Sequence, residues 1–191
     1  MNPRLASLLA AALLILPVQG AWAQATTFRI NPAQSTVVYN MSHPAHSWSG
    51  TSRRLSGTIT TDANGTVTAA SVSAPLQSFD SGNRNRDSNM IEATEAYLYR
   101  NVTFQLTSLT MLPAPTANAN ATAEGTLTFH NVRQTVRLPV LVQRSGSGDA
   151  VRVQGVLDVT LTQFRITPPR LVGVSVRDAI RLTLDLSANR G

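Results

Sequence analysis

The segment His43-Pro44-Ala45-His46 sets two imidazoles three residues apart across a proline, a spacing that can bring both rings near one point. A catalytic zinc takes three protein ligands. The third histidine, His130, lies far away in the chain, and no glutamate stands at metal-motif spacing from any of the three. Turn hydrogen bonding is the expected work of these histidines, and no metal is expected. Glu92 and Glu95 are three apart and would share one helix face, where glutamates are ordinarily solvated. No Gly-x-Ser-x-Gly elbow, phosphate-binding loop or dinucleotide fingerprint occurs. The absence of cysteine removes disulfides, thiolate metal sites and cysteine nucleophiles together. The residue types do not suggest an enzyme, and no catalytic residue is expected.

The charge pattern narrows the partners. All 16 basic residues are arginine, and against 10 acids they leave a formal charge of +6. A basic set made only of arginine titrates so high that a modest excess gives a pI near 11.2. The arginines are scattered among acids, and aromatics make up 5% of the chain, so no basic stripe with stacking platforms forms. Nucleic acid is not an expected partner.

Met1 to Arg4 is a short basic start, Leu5 to Leu16 is an unbroken small and apolar run, and Pro17 ends it. Ala21-Trp22-Ala23 then offers the small-x-small pattern read by a signal peptidase, so cleavage is expected before Gln24. The run is shorter than the roughly 20 apolar residues a membrane span needs. Residues 1–23 therefore read as a signal peptide, 24–191 as a single domain, and the expected location is periplasmic or secreted. No transmembrane segment is expected.

Beyond Gln24 the dominant hydrophobic period is two, the mark of strands with one buried face. Ile180, Leu182, Leu184 and Leu186 alternate with Arg181, Thr183, Asp185 and Ser187. Val151, Val153, Gly155, Leu157, Val159 and Leu161 share another face. Similar runs cover Phe28 to Ile30, Ser35 to Ser42, Ser52 to Thr61, Thr66 to Leu76, Val102 to Leu112, Ala121 to Phe129 and Thr135 to Gln143. Asn31-Pro32, Asp62 to Gly65, His130-Asn131 and Ser145 to Asp149 supply turn chemistry between them. Short connections imply antiparallel neighbours, and so many twisted strands must close into a barrel or fold into a sandwich. Between Asp80 and Tyr99 the pattern changes: Asp80 or Ser81 is the expected N-cap of one or two short helices, with Met90, Ile91, Tyr97 and Leu98 as apolar positions. Pro113 to Asn120 reads as a solvated loop.

Four segments carry a family pattern: Phe28 to Val37 followed by His43; Ser78-Phe79-Asp80-Ser81-Gly82-Asn83-Arg84-Asn85-Arg86-Asp87; Gly125-Thr126-Leu127-Thr128-Phe129-His130-Asn131-Val132 through Val136; and Phe164 followed by the terminal strand Ala179 to Ala188. Together they resemble the YceI-like family of exported, lipocalin-like proteins that bind polyisoprenoid lipids. Two positions depart from that pattern. Asn89 stands where a histidine often follows the Arg-Asp pair, and Asn131 replaces a hairpin glycine while tolerating the same left-handed conformation.

The resemblance implies an all-β fold, an eight-stranded antiparallel barrel with one or two short helices inserted around residues 82–98. It implies an apolar bore holding a long isoprenoid chain, either a quinone or a prenyl lipid, with no other cofactor. Inward faces then nominate Val38, Phe104, Leu106, Leu127, Phe129, Leu157 and Val159 for the bore, although alternation alone leaves open which of them are sealed core. His43, His46, Trp48, Arg86, Asp87 and Asn89 are nominated for a headgroup at the mouth, and Phe79 and Phe164 complete the ligand-binding set. A scaffold role stays open beside each: Asp80, Gly82 and Asn83 as cap and turn, His130 and Asn131 as hairpin, Arg86 and Asp87 as a mutual pair. Function is left open between lipid binding or carriage, a structural or stress-related protein acting through a protein partner, and an enzyme or redox accessory acting on the lipid. Oligomeric state is open between monomer and homodimer.

Overall fold

A computed structural model of the chain describes residues 25–111, 118–171 and 173–191. The leader read over residues 1–23 lies outside them. The elements in order are β1 (Thr26–Ile30), β2 (Thr36–His43), β3 (His46–Ser52), β4 (Ser56–Thr61), β5 (Val67–Pro75), α1 (Arg84–Ala93), β6 (Asn101–Met111), β7 (Asn118–Phe129), β8 (Val132–Arg144), β9 (Ala150–Thr160), β10 (Arg170–Leu171), β11 (Val174–Ser175) and β12 (Ala179–Arg190).

β12 closes the sheet. One edge pairs with β9 from Ala179↔Thr160 to Asn189↔Ala150. The other edge is shared, with β2 along Arg181 to Asp185 and β1 along Ala188 to Arg190. β1 and β2 are thus one wall position interrupted by the 3-10 turn Pro32–Gln34, which Asn31 opens by accepting a hydrogen bond from the Ala33 amide. Ser35, fully buried at the kink, donates its Oγ–H to the Ser187 carbonyl and accepts from the Ser187 amide. β3 and β4 form the next interrupted position, paired with β2 and β1 respectively. With β5 to β9 in sequence order, the result is a closed eight-stranded antiparallel barrel.

Turn and cap chemistry follows local residues, with some corrections. His130 and Asn131 both have positive φ, 49° and 56°, the two-residue hairpin geometry whose twist matches the flanking strands. Between Asp80 and Tyr99 one α-helix forms, and its N-cap is Asn83 rather than Asp80 or Ser81, because Asn83 Oδ1 accepts from the Arg86 amide at 3.1 Å. Asp80 instead accepts from the Gly82 amide and shapes the approach. The helix ends in a Schellman arrangement, with Ala96 N–H on the Ile91 carbonyl, Glu95 N–H on that of Glu92, and Glu95 in the left-handed region at φ 46°. Since the chain turns there, the helical period does not reach Tyr97 and Leu98; both are exposed, and Ala96 is the buried residue. Of the loop expected over 113–120, residues 113–117 lie outside the described residues, while Asn118 to Asn120 belong to β7 and pair with β8.

Outward residues of β9 and β12 pair across strands. Both nitrogens Nε and Nη2 of Arg152 reach Asp185, and those of Arg181 reach Asp158. Each arginine holds its partner's carboxyl below the ordinary carboxylate range.

Candidate functional site: an apolar bore and a polar mouth

Inward residues of the wall leave a cavity of about 120 Å³ along the barrel, far more than the ~10–15 Å³ that houses one water. Phe104, Leu106, Leu127 and Leu157 line it, joined by Leu182, Leu184 and Leu186 of β12. Thr103 is the one polar residue among those lining it. β7 turns the small residues Ala121, Ala123 and Gly125 inward; Ala123 lines the cavity, and the room left at Gly125 takes the Phe104 ring. At Gly125 an added Cβ would come within 2.4 Å of the Phe104 ring, so only glycine lets that ring lie against β7. The sequence places Ala121 and Gly125 in a strand without nominating either of them or Ala123 for the interior, because alanine and glycine add little to a hydrophobic pattern.

Val38 does not join the bore. In β2 the cavity residue is Val37, opposite Leu184, and Val38 faces away with Thr51 and Thr183 as cross-strand partners. Two adjacent valines satisfy either phase of a two-residue period, and the pairing with β12 decides between them. Phe129, Val159, Phe79 and Phe164 are buried but line neither the bore nor the mouth. Phe129 packs on Phe164 with ring centroids 5.5 Å apart, Phe79 packs on Tyr39 at 5.6 Å, and Val159 pairs with Ile180.

The mouth lies between the β2–β3 hairpin, α1 and the segment joining β9 to β12, a cavity of about 620 Å³. His46, Trp48, Arg86 and Asn89 line it, as do Met41, Met90, Ile166 and Val176. The Arg86 guanidinium stands 5.6 Å from the Trp48 ring centroid, a cation–π distance, and the His46 ring is 5.4 Å from Trp48 on its own strand. His43 and Asp87 are set back. His43 Nδ1 accepts from the Ala45 amide at 3.3 Å to close the hairpin, while its buried Nε2 has no hydrogen-bond partner. Asp87 accepts from the Ser81 amide, and the ion pairs of the described residues do not join it to Arg86.

Tyr39 was read only as a strand residue, yet it stands at the border of the two spaces. Its cross-strand partner Leu182 lines the bore, while Tyr39 itself lines the mouth with its ring against Gly50. Its Oη is buried without a hydrogen-bond partner. Burial foremost, then the Asp87 carboxylate, pushes the phenol above its ordinary range; the Arg86 charge opposes, as do the polar side chains of Trp48 and Ser81, which lie near the hydroxyl but outside hydrogen-bond geometry. At neutral pH Tyr39 is therefore protonated, with its hydroxyl sealed beneath the lining of the mouth.

Glu95 is solvent-exposed, as expected, and also lies 2.7 Å from His130 Nε2. His130 Nδ1 is 3.1 Å from the Phe164 carbonyl, which can only accept, so Nδ1 carries a proton. Tyr99 packs edge-on at 4.5 Å. This cluster ties the helix end to the β7–β8 turn and stands apart from the mouth. Among the described residues no group of three or more carboxylates and histidines is placed to hold a metal. No helix among them is long and apolar enough to cross a membrane.

Comparison with known proteins agrees with this architecture. The sequence pattern of YceI-like domains matches residues 28–188. No curated protein matches. Among solved structures, Burkholderia cenocepacia BcnA is similar with a TM-score of 0.70 at 21% identity, covering 84% of this chain and 99% of that one. A polyisoprenoid binding domain from Saccharophagus degradans, implicated in plant cell wall breakdown, is similar with a TM-score of 0.69 at 16% identity, covering 87% and 99%. The Campylobacter jejuni YCEI protein follows with a TM-score of 0.55 at 16% identity, covering 97% and 92%. At these identities the likeness is one of fold.

Proposed function

Because this chain belongs to the YceI-like domain family, we propose that it is a non-catalytic carrier of a long-chain polyisoprenoid, an isoprenoid quinone or prenyl lipid. The tail occupies the bore and the headgroup meets the mouth, in a compartment reached after cleavage before Gln24. The observation that carries this reading is the bore itself, a cavity whose lining among the described residues is apolar but for Thr103 and which borders, at Tyr39, a space of mixed polar and apolar lining. Each isoprene unit taken from water contributes roughly 4 kcal/mol gross at ~0.8 kcal/mol per buried carbon. Ordering the flexible chain offsets much of that, so selection by length is graded rather than sharp. The Saccharophagus domain, described as polyisoprenoid binding, supports the same ligand class for this chain.

At the mouth a headgroup oxygen would find the Arg86 guanidinium and the Asn89 amide as donors, and Tyr39 Oη once the lining over it parts, with Trp48 covering the first units of the tail. Tyr39→Phe separates binding from scaffold. Removing a buried hydroxyl that lacks a partner leaves the melting temperature of the ligand-free protein unchanged or slightly raised. Affinity for a quinone-headed isoprenoid falls about tenfold, the worth of one hydrogen bond. Titration of a fluorescent isoprenoid into both proteins checks this; equal affinities would remove Tyr39 and place the headgroup elsewhere.

A further inference from the structure

The connections β2–β3, β5–β6, β7–β8 and β9–β12 all leave the barrel at one end, the end that holds the mouth. Three of the five large apolar side chains exposed among the described residues stand in these connections: Tyr97 at 71%, Leu98 at 73% and Val174 at 46%. No packing need explains them, since Ala96 already fills the buried position beside Tyr97. Arg84, Arg100, Arg165, Arg170 and Arg177 are exposed in the same connections, and none joins an ion pair among the described residues. The carboxylates there keep their charge, but none is spent on an arginine: Asp80 accepts from the Gly82 amide, Asp87 from the Ser81 amide and Asp178 from Thr162, Glu95 meets His130, and Glu92 joins no ion pair among the described residues, so with Arg86 these connections hold six arginines against five acids.

We propose that this rim is a docking surface for a lipid bilayer bearing anionic headgroups, seated by Tyr97, Leu98 and Val174 and held by the unpaired arginines. The inference rests on the carrier reading for its purpose, because a long isoprenoid is dissolved in bilayers and must be collected there. The chemistry of the rim suits that occupant. Apolar tips carried on separate connections can each enter the interfacial layer, and guanidinium forks match phosphate oxygens. A basic set without partners is attracted to an anionic surface and released by salt.

Cosedimentation of the chain from Gln24 onward with phosphatidylcholine vesicles, with and without phosphatidylglycerol, tests the proposal. The chain is expected to sediment with the anionic vesicles and to be released by high salt. Tyr97→Ser with Leu98→Ser is expected to weaken that binding at least about tenfold, because two large apolar contacts are lost. Arg84→Gln with Arg100→Gln should reduce the salt dependence. Both double variants should keep the parent melting temperature and take up isoprenoid offered in detergent micelles. Absence of vesicle binding by the parent, or equal binding by the serine variant, overturns the proposal. Conversion of a dimer to a monomer by the serine substitutions, seen by light scattering, also overturns it, since the tips would then cover a second copy. Failure of the parent to take up isoprenoid from micelles counts against the carrier reading instead, and vesicle binding is judged separately.

Discussion

A chain ending at Gly173 loses its cooperative thermal transition and its native strand content. The truncation removes β12, which carries the pairing to β9 along eleven residues and both remaining pairings that close the wall, to β2 and β1. It also strips Ile180, Leu182, Leu184 and Leu186 from the interior. Each such side chain contributes about 1.5–3 kcal/mol when fully buried. Their loss alone is comparable to the whole stability of a typical domain, about 5–15 kcal/mol. Circular dichroism during heating reads the outcome. A sharp transition with unchanged strand signal would mean that the remaining strands close without β12, and the topology drawn above would be wrong.

Leu127→Arg is the single substitution expected to cost most. Leu127 is 5% exposed, lines the bore and pairs with Phe104 across β6 and β7. An arginine there loses the apolar contact and places a guanidinium among aliphatic groups with no carboxylate among the lining residues. The expected loss is about 3–5 kcal/mol. For a chain of this size that lowers the melting temperature by roughly 10 °C at ~2–4 °C per kcal/mol. Leu127→Met, which keeps the volume, should cost less than about 1.5 kcal/mol. Val38→Arg supplies the contrast: it changes an outward residue of β2 and should stay within about 1 kcal/mol of the parent. Thermal melts of the three variants decide the phase of β2 as well as the character of the bore. Equal destabilisation by Leu127→Arg and Val38→Arg would refute both.

Much of the wall is legible in the sequence because each strand buries one face, and β9 and β12 alternate without a break. Legibility fails where local pattern is degenerate or where contacts are remote. Val37 and Val38 fit either face until Leu184 is known to lie opposite Val37. Tyr97 and Leu98 continue an apolar spacing past a helix that has already ended at Ala93, with Glu95 in the left-handed turn that follows. The reason a glutamate occupies that left-handed position, where glycine is usual, lies 35 residues away in His130. At the mouth, the spacing around His43 drew attention to the right hairpin but to an imidazole that only closes its turn, and Asp87 likewise serves the junction before the helix. Tyr39 was hidden because a tyrosine within a strand reads as core, and only its unpartnered hydroxyl marks it out.

The central claim is that the bore holds an isoprenoid chain. The direct measurement is to strip the protein of lipid, equilibrate it with vesicles containing an isoprenoid quinone, re-isolate it and weigh it by native mass spectrometry beside Ala123→Phe. Ala123 is buried on the cavity wall, so the phenyl ring fills space that the ligand would need, at a cost of about 1–3 kcal/mol in a fold that remains intact by circular dichroism. The account predicts one quinone per parent chain and none on the folded variant. A parent that returns without lipid, or a folded Ala123→Phe that carries as much as the parent, would contradict it.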